Sequence, residues 1–212
     1  MSDKKIIHLV VGPIATNCWI YSYGSAEAAI IDPGDEADEI IAALEKAALT
    51  PMYILLTHGH FDHICAVPQL KAKYPDVKIA IHSNDSEYLG KESRKIHEQS
   101  IKFAIGSASF MDFLSSDIPD ADILLEEGAG IGPFTVLHVP GHTQGCAAFW
   151  DKENDVLFAG DTLFNRGIGR TDLPGGSNKQ IMESLKRLFA MDADIMVFPG
   201  HGETTTIGQE SK

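Results

Sequence analysis

Four side chains able to ligate a metal fall within one short run, His58-x-His60-x-Asp62-His63. Groups crowded this closely are hard to hold together without a cation. Neutral imidazole and carboxylate suit zinc, iron or manganese. The run follows the apolar segment 53–56, which places it at a strand end, where a rigid frame presents functional loops. Gly59 is expected to let the chain turn tightly between His58 and His60. Three other apolar segments finish in the same way. Val136-Leu137-His138-Val139-Pro140-Gly141 leads to His142, Val156-Leu157-Phe158-Ala159-Gly160 to Asp161, and Ile195-Met196-Val197-Phe198-Pro199-Gly200 to His201. A glycine stands directly before each of these ligands, permitting an unusual turn or a close approach. Seven ligands at four strand ends are what two divalent metal ions need. Zinc is the first expectation, and iron and manganese accept the same set. The other histidines, His8, His82, His97 and His138, stand in no motif and are read as ordinary core or surface residues. Cys65, close behind His63, is read as packing in the helix that follows.

The elements that must position these ligands follow from hydrophobic period. Segments 6–11, 18–23 and 28–31 read as short strands separated by Gly-Pro and Gly-Ser breaks. Asp32-Pro33-Gly34 ends that run. Ile40, Ile41, Leu44 and Ala48 recur at helical spacing, so 35–49 is expected to be a helix. A strand at 53–56 enters the ligand run, a helix through Leu70 and Lys73 leaves it, and 77–81 is another strand. The stretch 84–113 is less regular and reads as a helical insertion or lid. Strands return at 123–125, 134–139, 147–150 and 156–159. Ser177 caps a helix with Ile181, Met182, Leu185, Leu188 and Phe189 on one face, and 195–198 is the last strand. This order implies an α/β (α+β) chain with a sheet-on-sheet core and helices outside.

The 212 residues suit one domain, 1–212, with 84–113 inside it. A hydrophobic share of 44% and a charged share of 22% are those of a globular protein. The net charge of −13 argues against nucleic acid, whose binding needs Lys and Arg, and against docking on anionic membrane. No apolar run approaches a membrane span, and 6–11 is too short and polar for a signal-peptide core. Cys18, Cys65 and Cys146 are scattered and odd in number, which fits a reducing cytoplasm. A small-molecule substrate is therefore expected, with the oligomeric state left open.

These segments resemble the metallo-β-lactamase superfamily over nearly the whole chain. Its hallmark is H-x-H-x-D-H followed by downstream His, Asp and His. The resemblance implies a four-layer αββα sandwich. It implies that His58, His60 and His142 hold one metal, that Asp62, His63 and His201 hold the second, and that Asp161 bridges them. Thr16-Asn17-Cys18 and Ile31-Asp32-Pro33-Gly34 also resemble the family's first hairpin, and Asp32 is a candidate partner behind a ligand histidine. Within the superfamily the likeness is to glyoxalase II and its short bacterial relatives. It rests on Thr57-His58-Gly59-His60-Phe61-Asp62-His63, Pro140-Gly141-His142-Thr143, Gly160-Asp161-Thr162-Leu163-Phe164 and Gly167-Ile168-Gly169-Arg170. The C-terminal helical domain that helps full-length glyoxalase II bind glutathione is expected to be absent. The implied chemistry is metal-assisted hydrolysis of a thioester, with Asp62 and Asp161 as catalytic candidates and Arg170 meeting a substrate carboxylate. A rival branch of the fold, persulfide dioxygenase, shares Gly169-Arg170-Thr171-Asp172 and would use His58, His142 and Asp161 around one Fe(II). A non-catalytic metal-binding or redox-sensing module is the further alternative.

Overall fold

The computed structural model describes residues 5–91, 93–105 and 118–212. One sheet holds β1 (Ile6–Val11), β2 (Thr16–Ser22), β3 (Glu27–Ile31), β4 (Thr50–Leu55), β5 (Lys78–His82) and β6 (Ile123–Leu125), side by side in chain order. Its first three strands are antiparallel, and β3 to β6 run parallel. The second sheet is built from β7 (Gly130–Ile131), β8 (Phe134–His138), β9 (Ala147–Asp151), β10 (Val156–Gly160), β13 (Met196–Pro199) and β14 (Thr205–Thr206). There β13 lies parallel to β10. A separate ribbon pairs β11 (Leu163–Phe164) with β12 (Gly167–Ile168).

Helices α1 (Ala37–Ala47) and α2 (Val67–Lys73) join the parallel strands of the first sheet. Helix α3 (Ser93–Ile105) follows a 3₁₀ turn at Ser83–Tyr88, α4 (Asn178–Leu188) precedes β13, and α5 (Ile207–Glu210) follows β14. No helix among the described residues is long and apolar enough to cross a membrane.

The two-residue period of the strands sorts the core into layers. On β2, Cys18 and Ile20 pack with Ile40 and Leu44 of α1, whereas Trp19 and Tyr21 face the second sheet. On β10, Val156 and Phe158 face the first sheet, whereas Leu157 and Ala159 pack with Ile181 and Leu185 of α4. Helix, sheet, sheet and helix are therefore stacked in that order, the αββα sandwich expected from the sequence.

Several expected boundaries move. Helix α1 is shorter than 35–49 because Glu36 and Ala48 take left-handed backbone, with φ of 49° and 54°. Left-handed residues cannot continue a right-handed helix. Strand β2 begins earlier than expected, at Thr16, and the last expected strand is shifted to Met196–Pro199. Strands β7, β11, β12 and β14 are too short to show a period. Of the stretch 84–113, the described part is packed: Ile101 joins the first core and His97 Nε2 meets the Tyr88 carbonyl at 2.8 Å. The rest, 92 and 106–113, lies outside the described residues.

A buried hydrogen bond joins the sheets directly: Tyr21 Oη on β2 donates to Asp151 Oδ2 on β9 at 2.6 Å. The same ring packs edge-on against Phe158, at 5.6 Å between centroids. Tyr21→Phe keeps the ring and removes the donor. It is expected to cost about 1.5–3 kcal/mol, the range for a bond to a charged acceptor. Urea unfolding measures this, and an unchanged midpoint would contradict it.

Candidate metal centre

All seven sequence-derived ligands converge where the parallel strand pairs of the two sheets end. His58 follows β4, and Asp62 and His63 sit on a 3₁₀ turn at Phe61–His63. His142 lies between β8 and β9, Asp161 follows β10, and His201 follows β13. The last of these loops is stitched to the first sheet. Asn17 N donates to the Gly200 carbonyl at 2.7 Å, and Asn17 Nδ2 donates to the carbonyls of Pro199 at 3.0 Å and Gly202 at 2.9 Å.

His58, His60 and His142 form one trio. His60 Nδ1 stands 3.1 Å from His58 Nε2 and 2.9 Å from His142 Nε2. The three rings are mutually edge-on, at 84°, 82° and 88°, so their lone pairs can aim at one point. Asp62, His63 and His201 form the second trio. Asp62 Oδ2 is 3.2 Å from His63 Nε2 and 3.4 Å from His201 Nε2. Asp161 lies between the trios: its Oδ2 is 3.6 Å from His142 Nε2 and 3.5 Å from His201 Nε2.

Hydrogen bonds behind the rings set which nitrogen faces inward. A carbonyl or carboxylate only accepts, so a ring nitrogen bonded to one must carry the proton. His142 Nδ1 donates to the Arg170 carbonyl at 2.7 Å, and His63 Nδ1 donates to Asp32 Oδ2 at 3.0 Å. Thr57 Oγ1 donates its proton to Asp32 Oδ2 at 2.6 Å and accepts from His58 Nδ1 at 3.1 Å. Asp32 thus sets the tautomer of His63 directly and of His58 through Thr57. In each case Nε2 is left as the ligand atom.

The donor set fits a pair of ions. His63 Nε2 and Asp161 Oδ1 are buried without hydrogen-bond partners, a costly state that a cation relieves. Each trio brings its ligand atoms within 4.8 Å of one another. Burial, with the imidazoles of His63, His60 and His142, pushes His58 well below the usual histidine range, keeping it a neutral ligand. Burial also opposes charge on His63. There Asp62, Asp161 and Asp32 outweigh it and push the ring well above that range, so the field favours positive charge at this point.

Gly59 serves a different purpose from the expected tight turn. Its φ is not positive, but a Cβ there would lie 2.3 Å from the Tyr88 side chain. Gly200 likewise admits a close approach, since a Cβ would lie 2.2 Å from Asp161 Oδ1. The Arg170 guanidinium is bound by both oxygens of Asp172, at 2.8 Å each, and is half exposed. Its backbone carbonyl is what holds His142. Thr57, Thr16, which donates to Asp62 Oδ2 at 3.0 Å, and the buried Asp85 were not singled out from the sequence. Thr57 stands directly before His58 and Thr16 in the segment Thr16-Asn17-Cys18, so both lay in quoted motifs, whereas Asp85 lay in none. A cavity of about 210 Å³ opens over both trios, with Ile14, Phe61, Ile101 and Leu173 as its apolar wall and Arg170 at its side.

The family model described as the metallo-beta-lactamase superfamily matches residues 11–201. The chain belongs to that superfamily. Metallo-β-lactamase folds bind metal ions, and this His/Asp cluster fits a dinuclear site. A hydroxyacylglutathione hydrolase, GloC of Haemophilus influenzae, is 38% identical over 203 residues, 92% of this chain and 90% of that protein. A crystal structure of TTHA1623 in a di-iron-bound form aligns with TM-score 0.81 at 35% identity, over 97% of each chain. One of BLEG-1, named a B3 metallo-beta-lactamase, aligns with TM-score 0.81 at 34% identity, over 97% of this chain and 96% of that one.

Asp32→Asn is expected to weaken metal binding by roughly 10–100-fold, the usual loss when the partner behind a ligand histidine is altered. Competition with a chromophoric chelator reads the affinity. A substituted protein that binds zinc as tightly as the parent would show that Asp32 does not govern the ligands.

Proposed function

We propose that this metallo-β-lactamase-fold chain is a two-metal hydrolase acting on thioesters of the hydroxyacylglutathione kind. The observation that carries the reading is the pair of ligand trios with Asp161 between them, on the floor of a cavity. His58, His60 and His142 would hold one ion, and Asp62, His63 and His201 the other, with Asp161 facing both. Zinc is the first candidate, and the di-iron neighbour keeps iron beside it. Bound there, such a pair supplies a Lewis acid for a carbonyl and lowers the pKa of water towards neutrality.

The chain's own residues decide what can react. Ile14, Phe61, Ile101 and Leu173 exclude water around the acyl group and hold it over the ligands. Asp62 Oδ2, fixed by Thr16 Oγ1 at 3.0 Å, is placed to orient an attacking water as well as to ligate. Among the described residues lining the cavity, every carboxylate and imidazole belongs to the ligand set. None is spare to protonate a leaving amine. A thiol leaves without that help, because its pKa is about 8.5. The site therefore favours thioesters over unstrained amides. Arg170 is the one Lys or Arg lining the cavity among the described residues. It meets a substrate carboxylate by sharing or leaving Asp172. A mononuclear oxygenase would use His58, His142 and Asp161 and can retain the other four groups, so the 38% identity to a hydroxyacylglutathione hydrolase, and not the ligand count, favours the hydrolase.

Metal-replete protein is expected to hydrolyse S-lactoylglutathione, and His60→Ala, lacking one ion, is expected to lose that activity. Thiol release and metal content are measured together. Absence of thioester turnover alongside hydrolysis of a cephalosporin, or alongside persulfide-dependent oxygen uptake, would overturn the assignment. So would full activity in a His60→Ala protein shown to lack the ion.

A further inference from the structure

Asp85 is a second buried carboxylate beside the centre, and it touches no ligand side chain. It lies in the 3₁₀ turn Ser83–Tyr88 and is 1% exposed. Its Oδ2 accepts from Gly59 N at 3.0 Å and from Thr143 Oγ1 at 2.7 Å. Its Oδ1 accepts from Gly145 N at 2.6 Å. Gly59 separates His58 from His60, and Thr143 follows His142. One carboxylate therefore clamps the two segments that supply the first trio. Those segments come from different sheets, one following β4 and the other joining β8 to β9.

The contact is closely fitted. A Cβ at Gly145 would lie 2.6 Å from Asp85 Cβ, so only glycine lets the loop reach the carboxylate. The same turn carries Tyr88, whose ring stands edge-on to His60 at 5.9 Å and 88°. We propose that Asp85 is a positioning residue for the ion held by His58, His60 and His142. It fixes the spacing of the first two ligands against the third. Asp32 acts differently, by setting how rings are turned. The proposal rests on reading the seven side chains as a two-metal centre.

An asparagine cannot replace this carboxylate although it has the same shape. Its amide oxygen can serve one side of the clamp, and its NH₂ then faces a backbone N–H on the other. A buried donor is left opposing a donor. Asp85→Asn is therefore expected to weaken one of the two ions by roughly 10–100-fold, the range for altered residues behind metal ligands. Cobalt(II) titration of the whole chain is the test, read by visible absorption and chelator competition. The variant's spectrum is expected to shift as that of His60→Ala does, not as that of His201→Ala does. The opposed donors are expected to lower the thermal midpoint of the metal-free variant as well, so the site-selective change in the cobalt spectrum, which a merely structural role would not produce, is the deciding readout. If Asp85→Asn fails to fold, Thr143→Val removes a single donor and is expected to weaken the same ion by a smaller factor. Two cobalt ions bound at parental affinity with the parental spectrum, in whichever variant folds, would overturn the proposal. Parent protein that takes up no cobalt would instead sink the two-metal reading on which it rests.

Discussion

Asp32 accepts from Thr57 N at 2.8 Å, from Thr57 Oγ1 at 2.6 Å and from His63 Nδ1 at 3.0 Å, and it is almost fully buried. A buried carboxylate is tolerable only when its lone pairs are satisfied, and these three bonds do that. In doing so they turn His58 and His63, one ligand from each trio, so that both present Nε2. The residue sits at φ 50°, a left-handed conformation that aspartate accepts more readily than most side chains. The chain turns there, at the end of β3, and the carboxylate reaches the residues that follow the neighbouring parallel strand β4. Ligand orientation is thus a consequence of strand order.

The sandwich extends the same logic across two sheets. Each contributes a parallel pair, β3 with β4 and β10 with β13, and the loops leaving those strands meet over the cavity. Loops alone would not hold seven groups in register. They are fastened from both sides: Asn17 binds the His201 loop to β2, and Asp85 binds the His58–His60 segment to the His142 loop. The apolar layers give rigidity, and a small number of buried polar bonds give the site its geometry.

The convergence of these seven side chains was legible in the sequence because their spacing is local and their chemistry is unusual. Four donors in the His58–His63 run, and three strands each ending Gly-ligand, have little use apart from a cation. The layering was legible because strand and helix segments follow one another in an order that implies a sheet-on-sheet core, and the family resemblance implied four layers. That Cys18 and Ile20 face one way and Trp19 and Tyr21 the other shows only in the fold, because all four are apolar. Gly59 was misjudged because its constraint comes from Tyr88, far along the chain and near only in the fold. Asp85 carried no signal for the same reason: an aspartate in a turn is ordinary until the partner loop is in place. Thr57 was visible in the motif, yet its relay from His58 to Asp32 appears only with the ring orientations. Helix α1 lost residues at both ends to left-handed caps that helical spacing does not reveal.

Electron paramagnetic resonance of manganese-loaded protein, with metal counted per chain, tests the two-metal centre most directly. Two trios facing one carboxylate should hold ions about 3.5–4 Å apart. The expected result is two manganese ions per chain with a spin-coupled signal. A single ion with the spectrum of an isolated centre, at saturating manganese, would contradict the account.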